Sequence, residues 1–281
     1  MKKKINKIEN NINQLFKNGY CVVENALKKK ECEILIKKLE ELKEKVSINK
    51  NFIDENSRNG QFIIRDLPLR NPEVFLSIID KNLITNTLKK IFKETFILDN
   101  CQASSAINVK SNYKTLVHID SHIPCKSYEG TADIVVCYCL NDFTKKNGAT
   151  KIWSKSNLSG VRIQNDKNYK KKINKGYNYA EAKKGSAIFF LGQTWHQIGE
   201  NTDSTKRWGI LCHYKRWWIK PSTDWTKCGA KIFKLLNKKQ KELFGFTSIS
   251  PRFNLKTQSR KLKTLRKSHQ LNSNYFKTIQ Y

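Results

Sequence analysis

In "TLVHIDSHIP", residues 115–124, His118 and Asp120 stand two residues apart in an apolar frame, and His122 follows just beyond. The chain has only five histidines, so two of them around one aspartate need a reason. Either His118 and Asp120 hold a metal, or they are polar residues at the end of a strand. A further donor stands far along the chain: His196 in "GQTWHQIGEN", a few residues after the apolar run "GSAIFFL". Residues i and i+2 of a strand point to the same side, so His118 and Asp120 can face inward together. Jelly-roll strands distant in sequence pair in space, which can bring His196 to them. Two imidazoles and one carboxylate leave three coordination positions open, the ligand set of non-haem Fe(II) oxygenases. In such a site a bidentate 2-oxo acid takes two positions and dioxygen the third. Arg207 lies eleven residues after His196. If 196 ends one strand and 207 begins the next, Arg207 reaches the same end of the barrel. Its planar fork suits the far carboxylate of 2-oxoglutarate.

The elements that must position these residues change character near residue 95. Before it, "INKIENNINQLFKNG" has Ile5, Ile8, Ile12 and Leu15 at helical spacing and a C′ glycine at Gly19. "YCVVENA" reads as a short strand. "KKKECEILIKKLEELKEKV" reads as an amphipathic helix with Ile34, Leu35, Leu39, Leu42 and Val46 on one stripe. Asn71 and Pro72 predict a helix start, and "NLITNTLKKIFKE" continues the helical region. After residue 95, short β-rich segments alternate with turns: "TFILDNCQASSAINVK", "TLVHID", "TADIVVCYCLNDF", "TKIWS", "SAIFFLG" and "WGILCHYKRWWI". The Asn-Gly of "KKNGAT" (145–150) predicts a hairpin. Residues 154–185, rich in Lys and Asn, read as a loop or lid. The expected architecture is mainly β with α, a double-stranded β-helix (jelly roll, cupin-like) buttressed by N-terminal helices. One domain is expected over 1–222, with the buttress about 1–95 and the jelly-roll core about 96–222. A basic extension follows over 223–281.

The length of 281 residues and a hydrophobic share of 38% suffice for a sizeable core. No apolar run is long enough to cross a membrane, and the charged N-terminus lacks the apolar stretch of a secretory signal. Eight scattered cysteines without a CxxC pair are read as reduced thiols, and the cytoplasm as the location. Cys137 and Cys139 share a strand face with no partner for a zinc set and are read as core. The net charge of +30 invites a nucleic-acid reading. The excess is Lys spread over the whole length, however, and reads first as solvated surface. The exception is the span from Leu243 to Tyr281, which carries no Asp or Glu and holds Arg252, Arg260, Lys261 and Arg266 among its cations. His122 is read as facing substrate rather than metal, and His213 as a core or pocket histidine. His269 has no visible role. Trp208, Trp217 and Trp218 are read as packing residues.

The order His-x-Asp, "NDFTKKNGAT", Gly with an apolar strand, "WHQIGEN", Arg207 and "KRWWIKP" resembles the phytanoyl-CoA dioxygenase family of Fe(II)/2-oxoglutarate oxygenases. The opening "LFKNGYCVVENALKKKECEILIKKLEEL" is similar to that family's opening, and the resemblance covers about 14–222. It implies iron ligands His118, Asp120 and His196, and a 2-oxoglutarate anchor Arg207. It also implies Asn108 in "AINVK" as a polar residue near the co-substrate. The implied activity is that of an Fe(II)- and 2-oxoglutarate-dependent dioxygenase, a hydroxylase, which consumes dioxygen. A small-molecule substrate is expected. The charge is compatible with an anionic one, and with nucleic acid, which is not favoured. The alternatives are a nucleic-acid-directed oxygenase of the same chemistry and a non-catalytic basic binding protein on this scaffold. A halogenase would need a small residue in place of Asp120. The sequence departs from the family in "IWSKSN", which keeps only Ser156 of a usual Pro-Gly-Ser-His turn. It departs also at Ser186, where an Asp is common, and at Ile198, where a small or polar residue is usual.

Overall fold

In the computed structural model, residues 2–48, 60–108, 115–121, 123, 126, 130–174, 176–203 and 205–248 are described. The chain begins with α1 (Lys2–Asn18), β1 (Tyr20–Val23), α2 (Lys29–Ile48), β2 (Gln61–Ile64), α3 (Leu67–Arg70), α4 (Pro72–Ile79) and α5 (Asn82–Phe92). It continues through β3 (Phe96–Ala106), β4 (Asp133–Cys139), β5 (Lys151–Trp153), α6 (Tyr169–Ile173), β6 (Tyr177–Tyr179), β7 (Ala187–Leu191), β8 (His196–Gln197) and β9 (Arg207–Arg216). α7 (Gly229–Leu235) and α8 (Lys238–Leu243) close the described chain. Six strands form one antiparallel sheet in the order β1-β7-β4-β9-β3-β2, and three form a smaller sheet, β6-β5-β8. The architecture is the expected one: two antiparallel sheets facing each other, with helices laid on the larger.

Alternation along the strands divides the larger sheet into two faces. One carries Leu98, Val136, Tyr138, Ile210 and Tyr214, packed with Leu39, Phe75 and Leu88 of the helices. The other carries Val135, Cys137, Ile188 and Phe190, which meet Phe143 and Ile152 from the smaller sheet's side. Because β4 is central and covered on both faces, all seven of its residues are buried, which explains its nearly unbroken apolar run. The helices are tied down by polar caps as well as by packing. The hydroxyls of Tyr138 and Tyr214 donate to the carbonyls of Ile78 and Ile79 at the end of α4, both at 2.8 Å. Asn71 caps α4 by accepting from Val74 N at 3.1 Å, and α1 ends at Gly19, which has φ 86°, as the sequence predicts.

Four expectations are corrected. Ile34 is 53% exposed, and α2 turns Cys32, Leu35 and Leu39 inward instead; consecutive positions are 100° apart, so the stripe centred on 35 and 39 leaves 34 outside. The Asn147-Gly148 pair makes no hairpin, because β4 and β5 belong to different sheets and only Gly148, at φ 88°, has the positive φ that a type I′ turn needs at both positions. Asn147 instead closes the loop through Thr144 N and Asp142 O. Residues 154–185 are no bare lid: β6 pairs with β5, Ile163 is buried between Trp153 and Trp195, and Asn157 donates to Phe16 O. A few apolar residues in a Lys/Asn background carry that packing. Residues 223–248, expected to open a basic extension, put Trp225, Leu243, Phe244 and Phe246 into the main core. The remainder of the basic stretch, His269 included, lies outside the described residues. Trp208 is buried, whereas Trp217 and Trp218 are exposed. None of the described helices is long and apolar enough to cross a membrane.

Under the sheet's inner face, Lys215 of β9 is 2% exposed and meets Asp99 of β3 at 2.7 Å. Asp99 also accepts from Ser222 N at 2.5 Å. Removing one partner leaves an uncompensated buried charge. Asp99→Ala is therefore expected to lower unfolding stability by about 3–5 kcal/mol, read as the shift of a chemical-denaturation midpoint against the wild type. A loss under about 1 kcal/mol would show that Lys215 reaches water, as exposed pairs do.

Candidate active site

Residues 115–119 do not form a regular strand. They join the smaller sheet through one isolated bridge, His118 to His196. His118 N donates to His196 O and His196 N to His118 O, both at 3.0 Å, so the backbone alone sets the two imidazoles side by side, ring centroids 4.3 Å apart. Asp120 and Ser121 then turn inward by donating their backbone N–H groups to Gly192 O, each at 2.9 Å. Gly192 is required there: a Cβ on it would stand 1.6 Å from Asp133 Oδ1.

Each imidazole is oriented from behind. Nδ1 of His118 lies 2.9 Å from Leu116 O, and Nδ1 of His196 lies 3.0 Å from Thr194 O. A carbonyl only accepts, so each Nδ1 carries the proton and each Nε2 presents a lone pair in the neutral ring. Both lone pairs face Asp120: His118 Nε2 is 3.5 Å from Oδ1, and His196 Nε2 is 3.3 Å from Oδ2. Oδ2 is buried and makes no hydrogen bond. Burial alone would raise the Asp120 carboxyl, but attraction to His196 and hydrogen bonds from His118 and His196, when a proton sits on the facing Nε2, outweigh it and hold the carboxyl well below the usual carboxylate range. Asp120 in turn raises His118 against the downward push of burial. Three acceptors converging in this way repel one another unless a proton or a cation sits among them. Their donor atoms all lie within 4.8 Å of one another, and two imidazoles with one carboxylate suit a first-row divalent metal.

The donors open onto a cavity of about 410 Å³. On its larger-sheet wall lie Cys137, Leu211 and His213; Gln102, Ser104 and Gln61 continue the wall toward β2. Arg207, the first residue of β9, also lines it and is 2% exposed. Its Nε and Nη2 donate to Gly148 O at 3.1 and 2.7 Å, and its guanidinium lies 4.0 Å over the Phe143 ring. The Asn-Gly loop that makes no hairpin thus has another task, which is to hold this arginine.

The structure brings His118, Asp120, His196 and Arg207 to one cavity. Asn108 stands apart: it is exposed, donates to Asp203 O at 3.4 Å, and is not among the cavity-lining residues. His122 lies outside the described residues. Ile198 lines the cavity, so the departure from the family's small or polar residue is an apolar surface beside the site. One buried group, Asp133, was not singled out by the sequence, whereas His213, read there as a core or pocket histidine, lines the cavity. Asp133 is pushed up to about 7 by burial and by Asp120, with Lys215 pulling the other way. His213, pushed down by burial, has an Nε2 without a hydrogen bond. The signal for His213 was its parity with Arg207 along one strand.

Solved structures share this fold. The chain is similar to the non-heme alpha-ketoglutarate-dependent epimerase SnoN from nogalamycin biosynthesis, at 14% identity and TM-score 0.61, over 78% of this chain and 87% of that one. It is similar to HygX from Streptomyces hygroscopicus, solved with nickel and 2-oxoglutarate, at 11% identity and TM-score 0.58, over 75% and 88%. The non-heme monooxygenase ThoJ, solved as a nickel complex, is similar at 15% identity and TM-score 0.58, over 75% and 79%. No curated protein matches the chain by sequence. The sequence profile of the phytanoyl-CoA dioxygenase (PhyH) family matches residues 15–208, most of the chain, from the last turn of α1 to the start of β9, and the protein belongs to that family.

Proposed function

We propose that the protein is an Fe(II)- and 2-oxoglutarate-dependent dioxygenase that hydroxylates an unactivated C–H bond of a small-molecule substrate. The observation that carries this reading is the convergence of three acceptor atoms within 4.8 Å at the wall of a cavity that also holds a buried arginine. Family membership supports it, as do the nickel and 2-oxoglutarate bound in the similar HygX structure and the nickel bound in ThoJ. His118, Asp120 and His196 would hold the metal. When bound, iron with 2-oxoglutarate supplies oxidation by dioxygen, yielding succinate, CO2 and one oxygen atom for the substrate.

The chain's own residues bind and orient. The carbonyls of Leu116 and Thr194 fix both imidazoles with Nδ1 turned outward and Nε2 inward, which aims the ligands. Arg207 would bond the far carboxylate of 2-oxoglutarate, with the Phe143 face and Gly148 O keeping its fork from turning away. Leu211, Phe190 and Ile198 present apolar surface that excludes water from the co-substrate. Asp120 occupies the position that a chloride-using relative would have to vacate, which favours oxygen transfer over halogenation. Seven described cysteines are free thiols, which supports a reducing compartment, the cytoplasm.

The metal assignment is tested by anaerobic titration. One Fe(II) per chain is expected for the wild type, none for His118→Ala or His196→Ala, and near-normal binding for His122→Ala. Loss of iron in His122→Ala with retention in His118→Ala would reassign the ligands. The anchor is tested by 2-oxoglutarate affinity. Arg207→Ala leaves a carboxylate unpaired in a closed site, an expected cost of about 2 kcal/mol or more, and Arg207→Lys loses the bidentate fork. Deleting residues 252–281 should leave that affinity unchanged. If the wild type takes up 2-oxoglutarate and Arg207→Ala binds it equally well, the anchor lies elsewhere. Absence of succinate formation over a broad substrate panel, with iron and 2-oxoglutarate bound, counts against catalysis.

A further inference from the structure

β9 turns Arg207, Gly209, Leu211 and His213 toward the cavity. The alternate residues Trp208, Ile210, Cys212 and Tyr214 pack into the helical core. Arg207, Leu211 and His213 all line the cavity, and Cys137 lines it beside Leu211, its cross-strand partner. This wall is cationic at one end, apolar in the middle and polar again at the other end. His213 lies below the metal-binding donors. It pairs with Val135 of β4, Val135 pairs with Phe190 of β7, and the Phe190 ring lies 4.7 Å from that of His196. His213 is 8% exposed, and its buried Nε2 has no hydrogen-bond partner. A buried polar atom gains by finding a partner, so Nε2 of His213 is placed to bond a group that enters the cavity.

We propose that His213 binds the 2-oxo acid end of the co-substrate, donating from Nε2 to the carboxylate that lies at the metal. Arg207 then holds the opposite carboxylate, and Leu211 and Cys137 lie along the two methylene carbons. A 2-oxo dicarboxylate has the matching pattern of polar end, apolar middle and polar end. The inference rests on the 2-oxoglutarate reading above and adds a binding residue to it. His213 contributes one directed N–H from the wall on the Asp120 side of the cavity.

The test uses the full chain loaded with Fe(II) under anaerobic conditions. 2-Oxoglutarate affinity is measured together with the visible charge-transfer band of the iron–2-oxo acid chelate. His213→Phe should weaken 2-oxoglutarate binding about tenfold, the usual worth of one such hydrogen bond, and shift the band, while Fe(II) affinity measured without 2-oxoglutarate stays as in the wild type. His213→Gln keeps an N–H at similar reach and should recover most of the affinity, and it serves as the decisive variant if the phenylalanine form does not fold. Wild-type affinity and an unshifted band in both variants would overturn the proposal. A raised KM for the substrate alone would overturn it too, by placing His213 on the substrate side. Failure of the wild type itself to bind 2-oxoglutarate would remove the underlying reading along with this one, an outcome distinct from failure of the variants alone.

Discussion

The site depends on two backbone hydrogen bonds, those exchanged between His118 and His196. They join segments almost eighty residues apart in sequence, with a regular strand, β8, on the His196 side only, and they fix the imidazoles before any side chain is considered. Every other feature of the donor set follows from them. Each ring is turned by a carbonyl two residues upstream in its own segment, so the same local geometry is used twice. Asp120 is delivered by the next turn of chain onto Gly192 O. The free energy of convergence is therefore carried by backbone pairing and burial rather than by attraction among the ligands, which are mutually repulsive acceptors in their neutral and ionised forms. That arrangement stores affinity for a cation: the fold has already met the cost of gathering the donors, and an ion entering among them relieves the repulsion.

β9 is the element on which core and site meet. Its alternate residues face the helices and the cavity in turn, so one strand supplies Trp208, Ile210 and Tyr214 to the hydrophobic core and Arg207, Leu211 and His213 to the cavity. A one-residue slip would exchange these sets and place an arginine and a histidine against the helices. The register is held by pairing with both β3 and β4, by the tyrosine hydroxyl seated on the end of α4, and by the buried Lys215–Asp99 pair at the far end of the strand. Stability and function are linked here through register rather than through direct contact.

The convergence of the three donors was legible because its signal is local: His118 and Asp120 sit two apart, and His196 follows a strand recognisable from its run of apolar residues. The two-sheet architecture was legible for the same reason, through period-two patterning and frequent turns. What was not legible depends on partners that only the folded chain supplies. Ile34 looked inward on a helical wheel, but the burial direction of α2 is set by the sheet beneath it. Asn147-Gly148 has hairpin chemistry, yet its neighbours belong to different sheets, and the turn was recruited to hold Arg207. Residues 154–185 and 223–248 read as solvated because lysines and asparagines outnumber Ile163, Trp225, Phe244 and Phe246, and burial of a few large apolar side chains outweighs the average composition. Asn108 was implied by resemblance alone, and the structure places it off the cavity wall.

The net charge of +30 was the most conspicuous number in the sequence, and the structure shows how little of it reaches the chemistry. Arg207 is the only Lys or Arg among the described cavity-lining residues, and Asp120 is the only carboxylate there. A surface lysine in solution acts through water and salt, which screen it within about 10 Å. Arg207 acts from a site that is 2% exposed, where the same unit charge is worth several times more against an anion. For an anion placed in this cavity, the one buried arginine would count for more than any single exposed lysine, whose field is screened by water and salt. Composition describes the second effect, and only placement within the fold describes the first.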